Sequence, residues 1–151
     1  MGYDTSAMGT VSELRLPADR EHILVAKRAA AAIGSLAGFD MDAIDDLSIA
    51  VAQACENAIR CLESAGSIAG QVRIVFKQSD AGLQVNVRST VNRDAELRAH
   101  VARAEQRHGE AVASASDLAL RLMGLFVDNS SYRVDERTGG LRVRLTKYRA
   151  S

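Results

Sequence analysis

Between Asp40 and Ser64, the side chains of Asp46, Gln53, Asn57, Arg60 and Ser64 recur at helical spacing and form one polar stripe. The stripe offers amides, a hydroxyl and charges for hydrogen bonding. Gln53 has no titratable carboxylate, so it cannot serve as a general base, and its amide reads as structural. Cys55 and Cys61 lie on the same segment, six residues apart. On a helix they point ~120° from one another, too divergent for a disulfide or a shared metal. They read as reduced, buried core thiols. His22, His100 and His108 have no Cys, Asp or Glu at metal-ligand spacing, so they read as solvated helix residues and no zinc site follows. A last group is basic: Arg133, Arg137, Arg142, Arg144, Lys147 and Arg149. It is either a solvated outer sheet face or a docking surface for an acidic partner.

The elements that must hold these groups follow from periodicity. Val11 to Leu16 alternates as a half-buried strand, and Pro17 ends it. Asp19 caps an alanine-rich helix running to about Leu36, with Gly38 at its close. Asp40 caps a second helix, where Ile44, Leu47, Val51, Ala54, Cys55, Ala58 and Leu62 supply a buried stripe; Gly66 and Gly70 follow it. Val72 to Lys77 and Leu83 to Val87 are strands around a Ser79-Asp80-Ala81-Gly82 turn. Asn92 to Arg107 reads as a charged helix. Ser114 or Ser116 caps another, whose core face includes Leu118, Leu122, Leu125 and Phe126. Tyr132 to Val134 and Leu141 to Leu145 close the chain as a pair of strands. The order β-α-α-β-β-α-α-β-β implies an α+β, two-layer sandwich with a mixed, mostly antiparallel sheet.

Composition narrows the class. The 151 residues suit one domain, assigned to 11–149 after a disordered start at 1–10. Hydrophobic residues at 47% are enough for a core, and 19 basic residues against 19 acidic ones argue against a nucleic-acid binder. There is no apolar run of membrane-spanning length and no signal-like start, so the expected location is cytoplasmic, away from any membrane.

The stretch Asp46-Leu47-Ser48-Ile49-Ala50-Val51-Ala52-Gln53-Ala54-Cys55-Glu56-Asn57-Ala58-Ile59 resembles the N box of the bacterial anti-sigma-factor serine kinases, a branch of the Bergerat-fold (histidine-kinase-like) ATPases. Leu118 to Met123, followed by Val127-Asp128, is similar to a second family segment, and the order of elements agrees from about Glu13 to Lys147. The resemblance implies Mg-ATP as cofactor, with a sigma factor and a STAS-type anti-anti-sigma protein as partners in a stress-response switch. It also implies pairing into a homodimer. Lys27, with Arg28 beside it, stands near the basic residue that the family offers to partners.

Departures from the pattern carry equal weight. The family has its catalytic glutamate where Gln53 stands, and Glu56 faces ~100° away from Asn57 on a helix. Asn57 keeps the position of the magnesium-facing asparagine; it is either a retained ligand or a surface amide bonded to a neighbouring loop. Ser89 replaces the adenine-binding aspartate, though its hydroxyl still offers a weaker neutral contact. Val91 replaces a glycine, and a β-branched side chain resists positive φ. Asp117 and Ala119 replace phosphate-cradling glycines, and Asp117 would repel a triphosphate from its helix start. The Asn92-to-Arg107 segment, an ATP lid in active relatives, reads here as a settled amphipathic helix. The sequence therefore points to a regulator that switches partners by protein binding, with ATP binding lost or impaired, no catalytic residue and no required cofactor. The alternatives are an active kinase acting on a STAS protein, which would hold Mg-ATP at Asn57, and a scaffold subunit of a signalling assembly.

Overall fold

The structure, a computed structural model, describes residues 9–64, 66, 70–91, 123–134 and 140–150. Strand β1 covers Thr10–Pro17, so Thr10, assigned above to a disordered start, is already paired, opposite Gln78. A 3-10 turn at Arg20–His22 leads into helix α1, Ile23–Leu36. The Asp19 carboxylate accepts the His22 backbone N–H at 3.2 Å, as a capping residue should. Gly38, at φ +86°, closes α1: its N–H donates to Ser35 and the Phe39 N–H donates to Gly34, both at 3.1 Å. That left-handed conformation strains any residue with a Cβ, which is why glycine ends this helix.

Helix α2, Met41–Ser64, is the longest element. The Asp40 carboxylate takes the Ala43 N–H at 2.8 Å and caps its start. Leu47, Val51, Ala54, Cys55, Ala58 and Leu62 are all buried as the three-four spacing requires, and Ile44 is half-buried against them. Burying one large aliphatic side chain is worth roughly 1.5–3 kcal/mol, so this stripe fixes how the helix lies on the sheet. Helix α1 covers α2 through Ala26, Ala30 and Gly34. The small residues permit the approach, since a Cβ on Gly34 would stand 3.4 Å from Ile44 and Leu47 side chains.

The sheet comprises β1, β2 (Gly70–Gln78), β3 (Gly82–Val91), β4 (Asn129–Val134) and β5 (Leu141–Tyr148), in the order β1-β2-β3-β5-β4. All four pairings are antiparallel, so the mixed sheet expected from sequence is corrected to an antiparallel one among the described strands. Val72, Ile74, Phe76, Val85, Val87, Val143 and Leu145 line its inner face under α2. The histidine-kinase-like α+β expectation is met: two helices on one face of an antiparallel sheet.

Strands run past their apolar alternation because ladder hydrogen bonds continue where side chains turn polar. β3 reaches Val91, four residues beyond the expected Val87. Leu125, expected on a core face, is 74% exposed; Met123 and Val127 are buried instead. The reason is local: helical backbone stops at Gly124 and a turn follows at Leu125, breaking the three-four period. The segments 92–107 and 114–122, with His100 and His108, lie outside the described residues, as does Arg137.

Candidate functional site

Three polar side chains are buried among the described residues: Ser48, Asn57 and Ser89. Ser48 lies on α2 and donates to the Ile44 carbonyl one turn back at 2.8 Å, so it is satisfied locally. The other two occupy the positions singled out by sequence, and they differ.

Asn57 sits in the middle of α2 at 1% exposure, which corrects the surface-amide reading. The polar stripe to which it was assigned turns inward at this position, between buried Ala54 and Ala58. Neither its Nδ2 nor its Oδ1 has a hydrogen-bond partner among the described residues. A buried amide left unpaired costs about 1–3 kcal/mol, so the site has unmet capacity for a polar ligand. Gln53, one turn earlier on α2, is half-buried.

Ser89 lies in β3 at 6% exposure. Its Oγ accepts the Leu141 N–H at 2.7 Å and lies 3.3 Å from the Leu141 carbonyl, to which it donates. The β3–β5 ladder runs from Gly82 opposite Tyr148 to Arg88 opposite Arg142, and Ser89 holds the next residue of β5 with its side chain. The hydroxyl thus already donates one hydrogen bond and accepts one, which leaves it a single lone pair. Val91 continues the same regular strand, opposite Gly70. A Cβ on Gly70 would be 2.8 Å from the Leu62 side chain and 3.0 Å from the Thr90 carbonyl oxygen, so glycine allows this close approach.

Glu56 points away from Asn57, as the helical geometry requires. Its two oxygens accept Arg20 Nε at 3.0 Å each, and Arg60 approaches at 3.3 Å. The same Arg20 forks onto both oxygens of Glu63 at 2.8 Å. This cluster holds the Glu63 carboxyl below its ordinary range, chiefly through the Arg20 hydrogen bonds, and raises Arg20 itself. No spare carboxylate remains on this part of α2. Arg20 and its contact with Glu56 carry no sequence signal, because residues 36 apart share no local spacing.

The other expected groups are placed as follows. Lys27 and Arg28 are exposed on α1. Cys55 and Cys61 are free and buried, and burial pushes their thiols up to about 12 and about 11. Lys147 does not belong with the outer basic group: its Nζ donates to the Phe126 carbonyl at 2.9 Å and lies 3.8 Å from Asp46. Arg149 turns back to the Ala37 carbonyl at 3.3 Å, at the end of α1. Asp117 and Ala119 lie outside the described residues. Among the described residues no three His, Cys, Asp or Glu side chains gather into a metal cluster, and no helix is long and apolar enough to cross a membrane.

Tested against Mg-ATP, these residues fit at one point and fail at two. The unpaired Asn57 amide suits a metal-bound or nucleotide oxygen. Position 53, where the resemblance would put the base, holds an amide, and position 89, where it would put the adenine acceptor, holds a neutral hydroxyl already bonded to the Leu141 backbone.

Comparison with known proteins agrees with this architecture. The sequence profile described as "Histidine kinase-like ATPase domain" matches residues 16–147. "Serine-protein kinase RsbW" of Bacillus licheniformis is 27% identical over 142 residues, covering 90% of this chain and 84% of the relative. "Serine-protein kinase RsbW" of Bacillus cereus is 27% identical over 138 residues, covering 90% and 83%.

Proposed function

Since the chain belongs to the histidine kinase-like ATPase domain family, we propose that it is an anti-sigma-factor-like regulator of transcription that works by protein binding. It switches between a sigma factor and a STAS-type anti-anti-sigma protein, as a homodimer in the cytoplasm, with ATP binding lost or impaired. The observation carrying this reading is the Ser89 hydroxyl locked onto both backbone groups of Leu141. With its proton given to the Leu141 carbonyl and one lone pair taken by the Leu141 N–H, the Ser89 hydroxyl keeps a single neutral lone pair, where the family's aspartate offers a charged acceptor. Gln53 adds that no carboxylate stands ready to draw a proton from an attacking hydroxyl. Lys27 and Arg28, exposed on α1, supply charge for docking a partner without any nucleotide.

The test is affinity purification from the native host after cross-linking, read by mass spectrometry. A sigma factor or STAS protein should be recovered, and its yield should fall when Lys27→Glu and Arg28→Glu are introduced together. Recovery of neither protein would sink the reading.

A second reading is favoured by one observation, the unpaired amide of Asn57. In it the protein holds Mg-ATP, the metal side meeting Asn57, and phosphorylates the STAS protein as the relatives named serine-protein kinases suggest. Bound Mg-ATP would supply an electrophilic γ-phosphate. The chain's own residues would orient it without a carboxylate at position 53. Phosphate transfer to a serine of the STAS partner in vitro would establish this reading in place of the first.

A further inference from the structure

The outer face of the sheet carries a feature unrelated to the cleft. Strand register aligns one arginine from every strand: Arg15 opposite Arg73, Arg73 opposite Arg88, Arg88 opposite Arg142, and Arg142 opposite Arg133. Side chains alternate across a strand, and the flanking positions Val72, Val87, Ser89, Leu141 and Val143 are buried, so all five guanidinium groups leave the same solvent face. Strands about 4.8 Å apart make this a straight row roughly 19 Å long. Like charges set directly opposite one another oppose strand pairing, so such a row is a burden on an isolated sheet.

Among the described residues only one end of the row has an acidic partner. Glu13 lies between Arg15 and Arg73, accepting Arg15 Nε at 2.9 Å and Arg73 Nε as well. Hydrogen bonds from Arg73 and then Arg15 hold its carboxyl down at about 2. Arg88, Arg142 and Arg133 have no acidic partner among the described residues, and all three are exposed. Glu13 shows what the row accepts, since one carboxylate fits between two neighbouring guanidinium groups.

We propose that the free end of this row, Arg88-Arg142-Arg133, is a docking surface for an acidic polypeptide segment of a partner protein. The favoured occupant is a helix with Asp or Glu at i and i+4. Such carboxylates lie about 5–6 Å apart, close to the ~4.8 Å strand spacing, so each falls between adjacent arginines. Guanidinium forks bind carboxylates in paired hydrogen bonds, which gives geometric as well as charge selectivity. A nucleic acid is the poorer match. The adjoining row, Val75-Asn86-Arg144-Ser131, adds a single arginine, whose Nε donates to Asn86 at 3.3 Å, and the whole chain has no basic excess. The surface lies on the side of the sheet opposite α1 and α2. It therefore does not compete with Lys27 and Arg28, and it does not depend on the function proposed above.

The experiment uses fluorescence anisotropy with three probes: a fluorescein-labelled helical peptide carrying Glu at i, i+4 repeats, its Gln counterpart, and a single-stranded oligonucleotide of equal charge. The full chain is compared with the triple variant Arg88→Gln/Arg133→Gln/Arg142→Gln. These side chains are exposed, and circular dichroism confirms that the variant is folded. The native chain should bind the Glu peptide saturably at low salt, ignore the Gln peptide, and lose about tenfold or more in affinity in the triple variant. Equal binding of the Glu peptide by both proteins would overturn the proposal. So would an oligonucleotide bound more tightly than the peptide and lost in the variant. A change of oligomeric state in the triple variant, with no peptide binding by the native chain, would overturn it in favour of a second copy of this chain.

Discussion

Asn57 on α2 and Ser89 on β3 are both polar, both buried, and both singled out by the family resemblance in the sequence. Yet they are chemically opposite. Ser89 makes two hydrogen bonds to the sheet backbone, and Asn57 makes none among the described residues. Two buried polar groups can therefore be accommodated unevenly. One is bonded into the sheet backbone, and the other is an amide whose burial no described group compensates.

The contrast has a sign that mutation can read. Ser89→Ala leaves the Leu141 N–H buried without its acceptor, and should lower unfolding stability by about 1–3 kcal/mol in urea titrations. A loss under half of that would mean water replaces the hydroxyl, and the latch would have no structural weight. Asn57→Ala removes two polar atoms that have no partner and puts the best helix former in mid-helix. Its stability should be unchanged or higher by up to about 1 kcal/mol. A loss comparable to that of Ser89→Ala would reveal a partner for the amide and break the comparison.

How far the sequence foretold this contrast depended on the range of the interactions. Local signals served well: Asp19, Asp40 and Gly38 mark helix ends through contacts within a few residues, and the α2 stripe follows from a repeating period. Resemblance in the Asp46–Ile59 stretch then gave the family. What stayed hidden is set by register between distant strands. Ser89 meets Leu141 across 52 residues, and no spacing rule aligns them. The arginine row is similar. Arg142 and Arg144 alternate visibly with apolar neighbours, but Arg15, Arg73 and Arg88 join only once the pairing is known. Of the two readings open for Asn57 in the sequence, burial at 1% removes the surface amide, because polarity alone is a poor guide to solvent exposure.

A smaller effect separates the neutralised end of the arginine row from the open one. The Glu13 carboxyl is held at about 2 in the folded chain, against an ordinary value of 4.5. A depressed carboxyl contributes stability above pH 4.5, and that contribution fades as pH falls from 4.5 towards about 2. Glu13→Gln should therefore flatten the acid limb of the stability curve in that window while leaving its shape near neutrality intact. Glu13 is solvent-exposed, so screening by salt should shrink the difference between the two proteins. An acid limb identical in both at low salt would show that this ion pair has no energetic role.

Isothermal titration calorimetry of the native chain with Mg-ATP at millimolar concentration tests the proposed loss of nucleotide binding most directly. The account predicts a featureless titration, and the same trace from Asn57→Ala. Saturable heat in the native chain that disappears in Asn57→Ala would contradict it, and would mean the unpaired amide is a working ligand.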